Sequence, residues 1–401
     1  MRSKSWLLPD GIDELLPDQA DELEALRRRL LDLYATWGYR LVIPPFIEYL
    51  ESLLTGTGKD LEHQTFQLTD QLSGRQVGIR ADITPQAARI DAHQLQQQGP
   101  TRLCYIGSVL RTRPDGFSSS RSPLQIGAEL YGHAGVASDA EVLCLMMETL
   151  RMAGLEQVFL DLGHVGIFRN LALQAGLLPE QESELFEALQ RKAQPEIAEL
   201  VSGYGLPPGQ AKMLNALAAL NGGPEVLELA RTELADATPE VMAAIDYLEE
   251  LGAELAACIP DVPVHYDLAE LRAYHYQTGV VFAAFVPGQG NELARGGRYD
   301  HIGEKFGRAR PATGFSADLK ALMALAKHAP GKRAGAVLAP SQGDSDLQAR
   351  VRELRSNGRI VIQELPGQRT DLEEAVITER LQKAGQEWVL TPVQGGNAAK
   401  A

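Results

Sequence analysis

A block from about residue 166 to 260, rich in Ala, Leu and Glu, separates two stretches whose apolar residues are grouped as strands. The turn-forming runs GYGLPPG, LNGGPE and DATPE divide that block into helices, so it reads as a helical insert. Strand-like segments resume beyond it, around Val264 to Tyr266, Val280 to Phe285 and Arg298. An antiparallel sheet core interrupted in sequence and completed later accommodates both stretches, and makes the chain an α+β protein.

Around that core the local signals are specific. Leu23, Leu26, Leu30, Leu33 and Trp37 recur at helical spacing, and Gly38 ends the run. Leu41, Val42 and Ile43 make a short strand that Pro44 and Pro45 stop, which suits a sheet edge or a subunit contact. TFQLTDQLSGRQVGIRADIT reads as a hairpin turning at Ser73 and Gly74. LCYIGSVLRTR and PLQIGAELYG are strands joined by the polar loop RPDGFSSSRS, mobile by composition. A helix is expected from Ser316 into Ala326. The boundaries expected are a core over 1–330 containing the insert at 166–260, a small α/β domain over 331–393 and a disordered tail at 394–401.

Composition narrows the function classes. With 401 residues, 44% of them hydrophobic, the chain can bury a sizeable core. Its net charge of -15 opposes a broad phosphate-binding face, so nucleic acid is not an expected partner. Cys104, Cys144 and Cys258 are too few and too scattered for a disulfide framework; each reads as a small buried hydrophobe in a reducing compartment. The N-terminal MRSKSWLLPDGIDELLPDQ lacks the continuous apolar run of a signal peptide, and nothing resembles a membrane span. A cytoplasmic protein is expected, with no membrane partner.

The polar residues on these strands make a set. A free amino acid with an imidazole side chain needs acceptors for its ammonium, a cation for its carboxylate and partners for both ring nitrogens. Gln125, Gly127 and Glu129 alternate onto one face of a strand. Asp82 and Thr84 offer acceptors for an ammonium, although Asp82 also suits the cap of a helix beginning at Thr84-Pro85-Gln86. Arg272 or Arg111 is the candidate for the ligand carboxylate. Gly296 and Gly297 would let backbone approach a ligand closely. His63 and His275 stand alone, without metal-ligand spacing.

Taken in order, TFQLTDQLSGRQVGIRADIT, YIGSVLRTRP, PLQIGAELYG, LRAYHYQTGVVF, ARGGRYD and ATGFSADL resemble the catalytic core of histidyl-tRNA synthetase, over about residues 8–165 and 260–327. The resemblance implies a class II aminoacyl-tRNA synthetase-like antiparallel sheet core. It also implies a histidine site made of Asp82, Thr84, Arg111, Gln125, Glu129, Arg272, Tyr276, Gln277, Gly296 and Gly297. Asp82 stands where that family has a glutamate, and Gln277 where it has a tyrosine facing the imidazole.

The nucleotide side of the motifs departs further. Motif 2 of the family reads phenylalanine, arginine, any residue, glutamate; here it is Leu110, Arg111, Thr112, Arg113, so a cation replaces the adenine-reading carboxylate. Ala321 falls where the family holds the triphosphate with an arginine, and Lys320 where an acid is usual. Losing one preorganised charge of this kind commonly costs ~10²-fold or more in rate. This asymmetry resembles the regulatory subunits of ATP phosphoribosyltransferase, a synthetase-like paralogous family. That resemblance implies no catalytic residue, metal or cofactor in this chain. It implies a short-form ATP phosphoribosyltransferase catalytic subunit as partner, and a homodimer within a hetero-oligomer. L-histidine would be the feedback effector of the first step of histidine biosynthesis. A diverged histidyl-tRNA synthetase or another ATP-dependent ligase is the alternative.

Overall fold

The helix Pro17–Thr36 sits where the Leu repeat predicts it, with proline at its first turn and Leu26, Leu30 and Tyr34 buried along one face. Gly38, at φ +81°, turns the chain out of it. The structure, a computed structural model, describes residues 7–55, 59–114, 120–272, 274, 276–326, 335–341, 344–367 and 377–393. His275, the middle of the 114–123 loop and the tail from 394 lie outside the described residues. The chain divides into two compact units, Met1–Lys327 and His328–Ala401.

The first unit is built on a nine-stranded sheet. Its spatial order is Arg40–Leu41, Thr101–Ser108, Leu124–Tyr131, Ala312–Asp318, Ala294–Arg298, Val280–Phe285, Phe159–His164, Val264–Asp267 and Asn221–Gly222. The six strands from Thr101–Ser108 to Phe159–His164 pair antiparallel, and parallel partners flank them on both sides. Strands from before and after the insert therefore lie side by side. The helix Val136–Met152 is buried nearly all round, with Val142, Leu143, Leu145, Met146 and Leu150 fully enclosed among the core residues. A separate three-stranded sheet, Ile47–Tyr49, Gln76–Ile79 and Phe66–Thr69, contains the expected hairpin, whose turn is closed by the Asp70 carboxylate on Leu72 and Ser73.

The insert forms six helices, Val165–Ala175, Pro179–Gln190, Gln194–Gly203, Pro208–Ala216, Glu225–Glu233 and Pro239–Cys258, broken at the turn-forming runs. It also supplies the edge strand Asn221–Gly222. Two residues are too few to leave a period-2 trace in the sequence. Two further expectations are corrected. Residues Ser316 to Asp318 belong to a strand, and the helix begins only at Leu319, because the Asp318 carboxylate accepts from Lys320 N (3.0 Å) and caps it there. Cys144 and Cys258 are joined by a disulfide with Cα atoms 6.4 Å apart, and Cys258 is exposed rather than a buried hydrophobe. Packing of the helices Val136–Met152 and Pro239–Cys258 against each other brings together cysteines separated by 114 positions.

The second unit has a four-stranded sheet ordered Val361–Gln363, Ala336–Ala339, Ile377–Ala384, Glu387–Pro392, with the helix Ser345–Ser356 packed on it. Val337, Leu347, Val351, Leu354 and Leu381 are its core. Ile377–Ala384 is not apparent as a strand in sequence, since ITERLQKA exposes most of its residues and buries only Leu381.

Candidate functional site

The site forms on one face of the central sheet, and glycines make the room for it. Alternation along Leu124–Tyr131 turns Gln125, Gly127 and Glu129 to the same side. Across the ladder Glu129 stands opposite Gly314, and Gly314 opposite Gly297. A Cβ on Gly314 would fall 1.5 Å from Glu129 Oε2, and one on Gly127 would fall 2.4 Å from Tyr105 Oη. Only bare backbone allows these side chains to lie flat over the neighbouring strands.

Glu129 is the centre of the network. It is 1% exposed. Tyr105 Oη donates to its Oε1 (2.9 Å), and Tyr299 Oη donates to its Oε2. Thr84 Oγ1 lies 3.0 Å from Tyr105 Oη. Gln125 Oε1 accepts from Ile83 N (2.9 Å), while its Nε2 donates to Asp82 Oδ1 (2.7 Å). Asp82 Oδ1 also accepts from Thr84 N (2.9 Å) at the start of the helix Thr84–Arg89, whose N-cap position falls to Ile83 rather than to Asp82. Tyr276 stacks on Tyr299 with ring centroids 5.2 Å apart. Gln277 lies against Gly297, where an added Cβ would be 2.7 Å from its Oε1.

Burial sets the electrostatics. It pushes the Glu129 carboxyl up to about 8, with Asp82 adding repulsion and the tyrosine hydroxyls opposing the shift. Burial, and the neighbouring Glu129, hold the Tyr105, Tyr276 and Tyr299 hydroxyls well above their usual range. They therefore act at neutral pH as hydroxyl donors and acceptors.

Asp82, Thr84, Gln125, Glu129, Tyr276, Gln277 and Gly297 thus come together. Three other expected residues fall differently. Gly296 points to the opposite face, where a Cβ would meet the Phe282 ring at 2.5 Å, so its bareness serves core packing. Arg272 is enclosed by carboxylates: Glu270 takes two of its nitrogens (2.9 and 2.5 Å), with Asp161 at 3.3 Å and Glu292 at 3.5 Å. Arg111 donates through Nε to Ala81 O (3.4 Å), one residue from Asp82. Tyr105 and Tyr299 are the residues that sequence reasoning missed. Both lie inside quoted motifs, but neither their alternation nor their spacing shows that they converge on Glu129.

At the opposite end of the face, Lys320 and Arg111 both lie within electrostatic reach of Asp318. Ala321 presents a methyl group from the helix Leu319–Leu325. Lys320 is committed to Asp13 Oδ2 (3.1 Å) and Ser122 O (2.8 Å). Elsewhere, Asp161, Asp267 and Glu270 bring three carboxylate oxygens within 4.8 Å of one another. Arg272 and Lys192 pair with them, and His265 Nδ1 sits 2.8 Å from Asp161, so this cluster already holds its counter-charges.

The histidyl-tRNA synthetase family model matches residues 11–322, and the model of the ATP phosphoribosyltransferase subunit HisZ C-terminal domain matches 334–391. A crystal structure described as an ATP phosphoribosyltransferase regulatory subunit/histidyl-tRNA synthetase from Bacillus halodurans superposes with a TM-score of 0.82 at 27% identity, covering 93% of this chain and 96% of that one. The fold is that of a class II aminoacyl-tRNA synthetase core carrying a small C-terminal domain. The ATP phosphoribosyltransferase regulatory subunit of Methylococcus capsulatus is 56% identical over 390 residues, 97% of this chain and 96% of the relative. That of Alkalilimnicola ehrlichii is 56% identical over 394 residues, 98% of each. The chain belongs to the family of ATP phosphoribosyltransferase regulatory subunits.

Proposed function

We propose that this chain is the non-catalytic, histidine-sensing subunit of a cytoplasmic ATP phosphoribosyltransferase, activating a short-form catalytic partner and transmitting feedback inhibition by L-histidine. The observation that carries the reading is the contrast on one sheet face: an enclosed polar set around Glu129 beside a nucleotide end with Ala321 and a committed Lys320. Asp82 and Thr84 take the ligand ammonium, and Glu129, Tyr276 and Gln277 take its ring. Ammonium and carboxylate sit on the same carbon, so the carboxylate partner must lie beside Asp82. Arg111 meets that requirement through Ala81, whereas Arg272 is held by three carboxylates.

Feedback requires histidine to bind one state of the assembly more tightly, with a coupling of about 1–3 kcal/mol. A homodimer within the complex is supported by the exposed apolar residues Leu41, Ile43, Phe46 and Ile47 next to the edge strand, and by an adjoining groove of about 640 Å³ lined in part by Ile47, Tyr49 and Leu68. Calorimetric titration tests the reading. Histidine produces binding heat and ATP produces none, histidine-dependent exchange of pyrophosphate into ATP is absent, and adding the chain raises the activity of the short-form enzyme. Robust exchange by the purified chain overturns the reading.

A further inference from the structure

The loop at residues 271–277, between the strands Val264–Asp267 and Val280–Phe285, carries Tyr276 and Gln277 to the site. The helical insert grips its backbone. Arg169, on the insert's helix Val165–Ala175, donates from one guanidinium nitrogen to both Tyr274 O (2.9 Å) and Gln277 O (3.0 Å), and its guanidinium lies 4.9 Å from the centre of the Tyr274 ring. That ring packs against Phe168 and Phe186, with centroids 5.5 and 5.3 Å away. The Tyr274 hydroxyl donates to Glu182 Oε1 (2.6 Å) on the helix Pro179–Gln190, and Gln190 at the end of that helix donates to Leu271 O (3.5 Å). The grip thus falls on both sides of Tyr276, although none of the residues assembled around Glu129 comes from the insert.

A ligand resting on Tyr276 and Gln277 needs the loop in this position, and its apparent affinity falls with the fraction of time the loop spends elsewhere. We propose, on the basis of the histidine-sensing reading, that Arg169 is a positioning residue: it ties the ligand loop to the helical insert, so that the insert is the element through which occupancy of the site is felt elsewhere. Coupling of this kind is reciprocal. Loosening the insert's hold weakens the ligand, and the ligand tightens the hold. Both hydrogen bonds leave from the same nitrogen, so the fork that sets arginine apart is not in use and a lysine ammonium can stand in for it.

The test titrates histidine into the full chain by calorimetry and follows amide hydrogen exchange with and without it. In wild type, histidine is expected to slow exchange by about threefold or more in the helix Pro179–Gln190, which supplies none of the site residues. Arg169→Met is expected to weaken histidine by about tenfold and to abolish that slowing. Arg169→Lys is expected to recover both, which a change in packing alone does not explain. Tight histidine binding that leaves the helix unprotected in wild type overturns the inference, as does an Arg169→Met variant that keeps either the affinity or the protection, or an Arg169→Lys variant no better than Arg169→Met. If Arg169→Met fails to fold, Tyr274→Phe carries the test, since it keeps the ring and removes only the bond to Glu182; histidine protection of the helix is expected to fall, and unchanged protection overturns the inference. Absence of histidine binding to wild type defeats the histidine-sensing reading itself, an outcome distinct from binding that leaves the helix unprotected.

Discussion

The two ends of the site face are made from the same sheet and differ in what their charges face. At the end proposed to take the amino acid, Glu129 is enclosed and accepts from the Tyr105 and Tyr299 hydroxyls. At the nucleotide end, Lys320 is bound to Asp13 and Ser122, and across the sheet Arg272 is bound to Glu270, Asp161 and Glu292. Cations saturated by their own chain have little left for a polyphosphate, since each new contact must first break an existing one. An alanine at position 321 and the pairing of Lys320 within the chain thus both leave less positive charge for a polyphosphate.

The comparison can be broken most directly through pH. Burial holds the Glu129 carboxyl at about 8 in the fold, against 4.5 for an ordinary glutamate, so the folded state keeps the extra proton between those values. Stability from this group is complete below about pH 4.5 and is lost as pH rises through 8, by up to about 4–5 kcal/mol. Urea denaturation at pH 5, 6.5 and 8 measures the fall, and Glu129→Gln is expected to flatten it. A wild-type profile that rises over this range contradicts the enclosed carboxyl.

Glu129→Ala leaves the Tyr105 and Tyr299 hydroxyls without their acceptor and is expected to weaken histidine binding by about 10²-fold or more. Unchanged affinity would move the site elsewhere. Smaller effects separate the two arginines. Arg111→Ala is expected to cost histidine affinity about tenfold, while Arg272→Ala changes it less than about threefold but destabilises the fold by about 1–3 kcal/mol through the uncompensated Glu270 carboxylate. A large affinity loss in Arg272→Ala reverses the assignment. Least of all, Lys320→Ala is expected to cost about 1 kcal/mol or less, because its ion pair with Asp13 is partly exposed, and to leave histidine titrations unchanged.

Much of this was legible along the chain. Alternation placed Gln125, Gly127 and Glu129 on one face, composition marked the helical insert, and the resemblance to histidyl-tRNA synthetase implied a missing cation at Ala321. The extra edge strand, the start of the helix at Leu319 and the Cys144–Cys258 bond were not legible, because each depends on a partner elsewhere in the fold.

Sequence by itself determined which groups are present: period and residue type are local properties, and they suffice to supply an acceptor-rich face and to remove a triphosphate clamp. Tertiary structure decided which of those groups are free. Tyr299 reaches Glu129 across 170 positions and Asp161 reaches Arg272 across 111. Gly296 and Gly297 differ only in the face to which sheet pairing assigns them. The physical reason is that availability to a ligand is set by the neighbours that burial imposes, and sheet pairing, not chain order, chooses those neighbours.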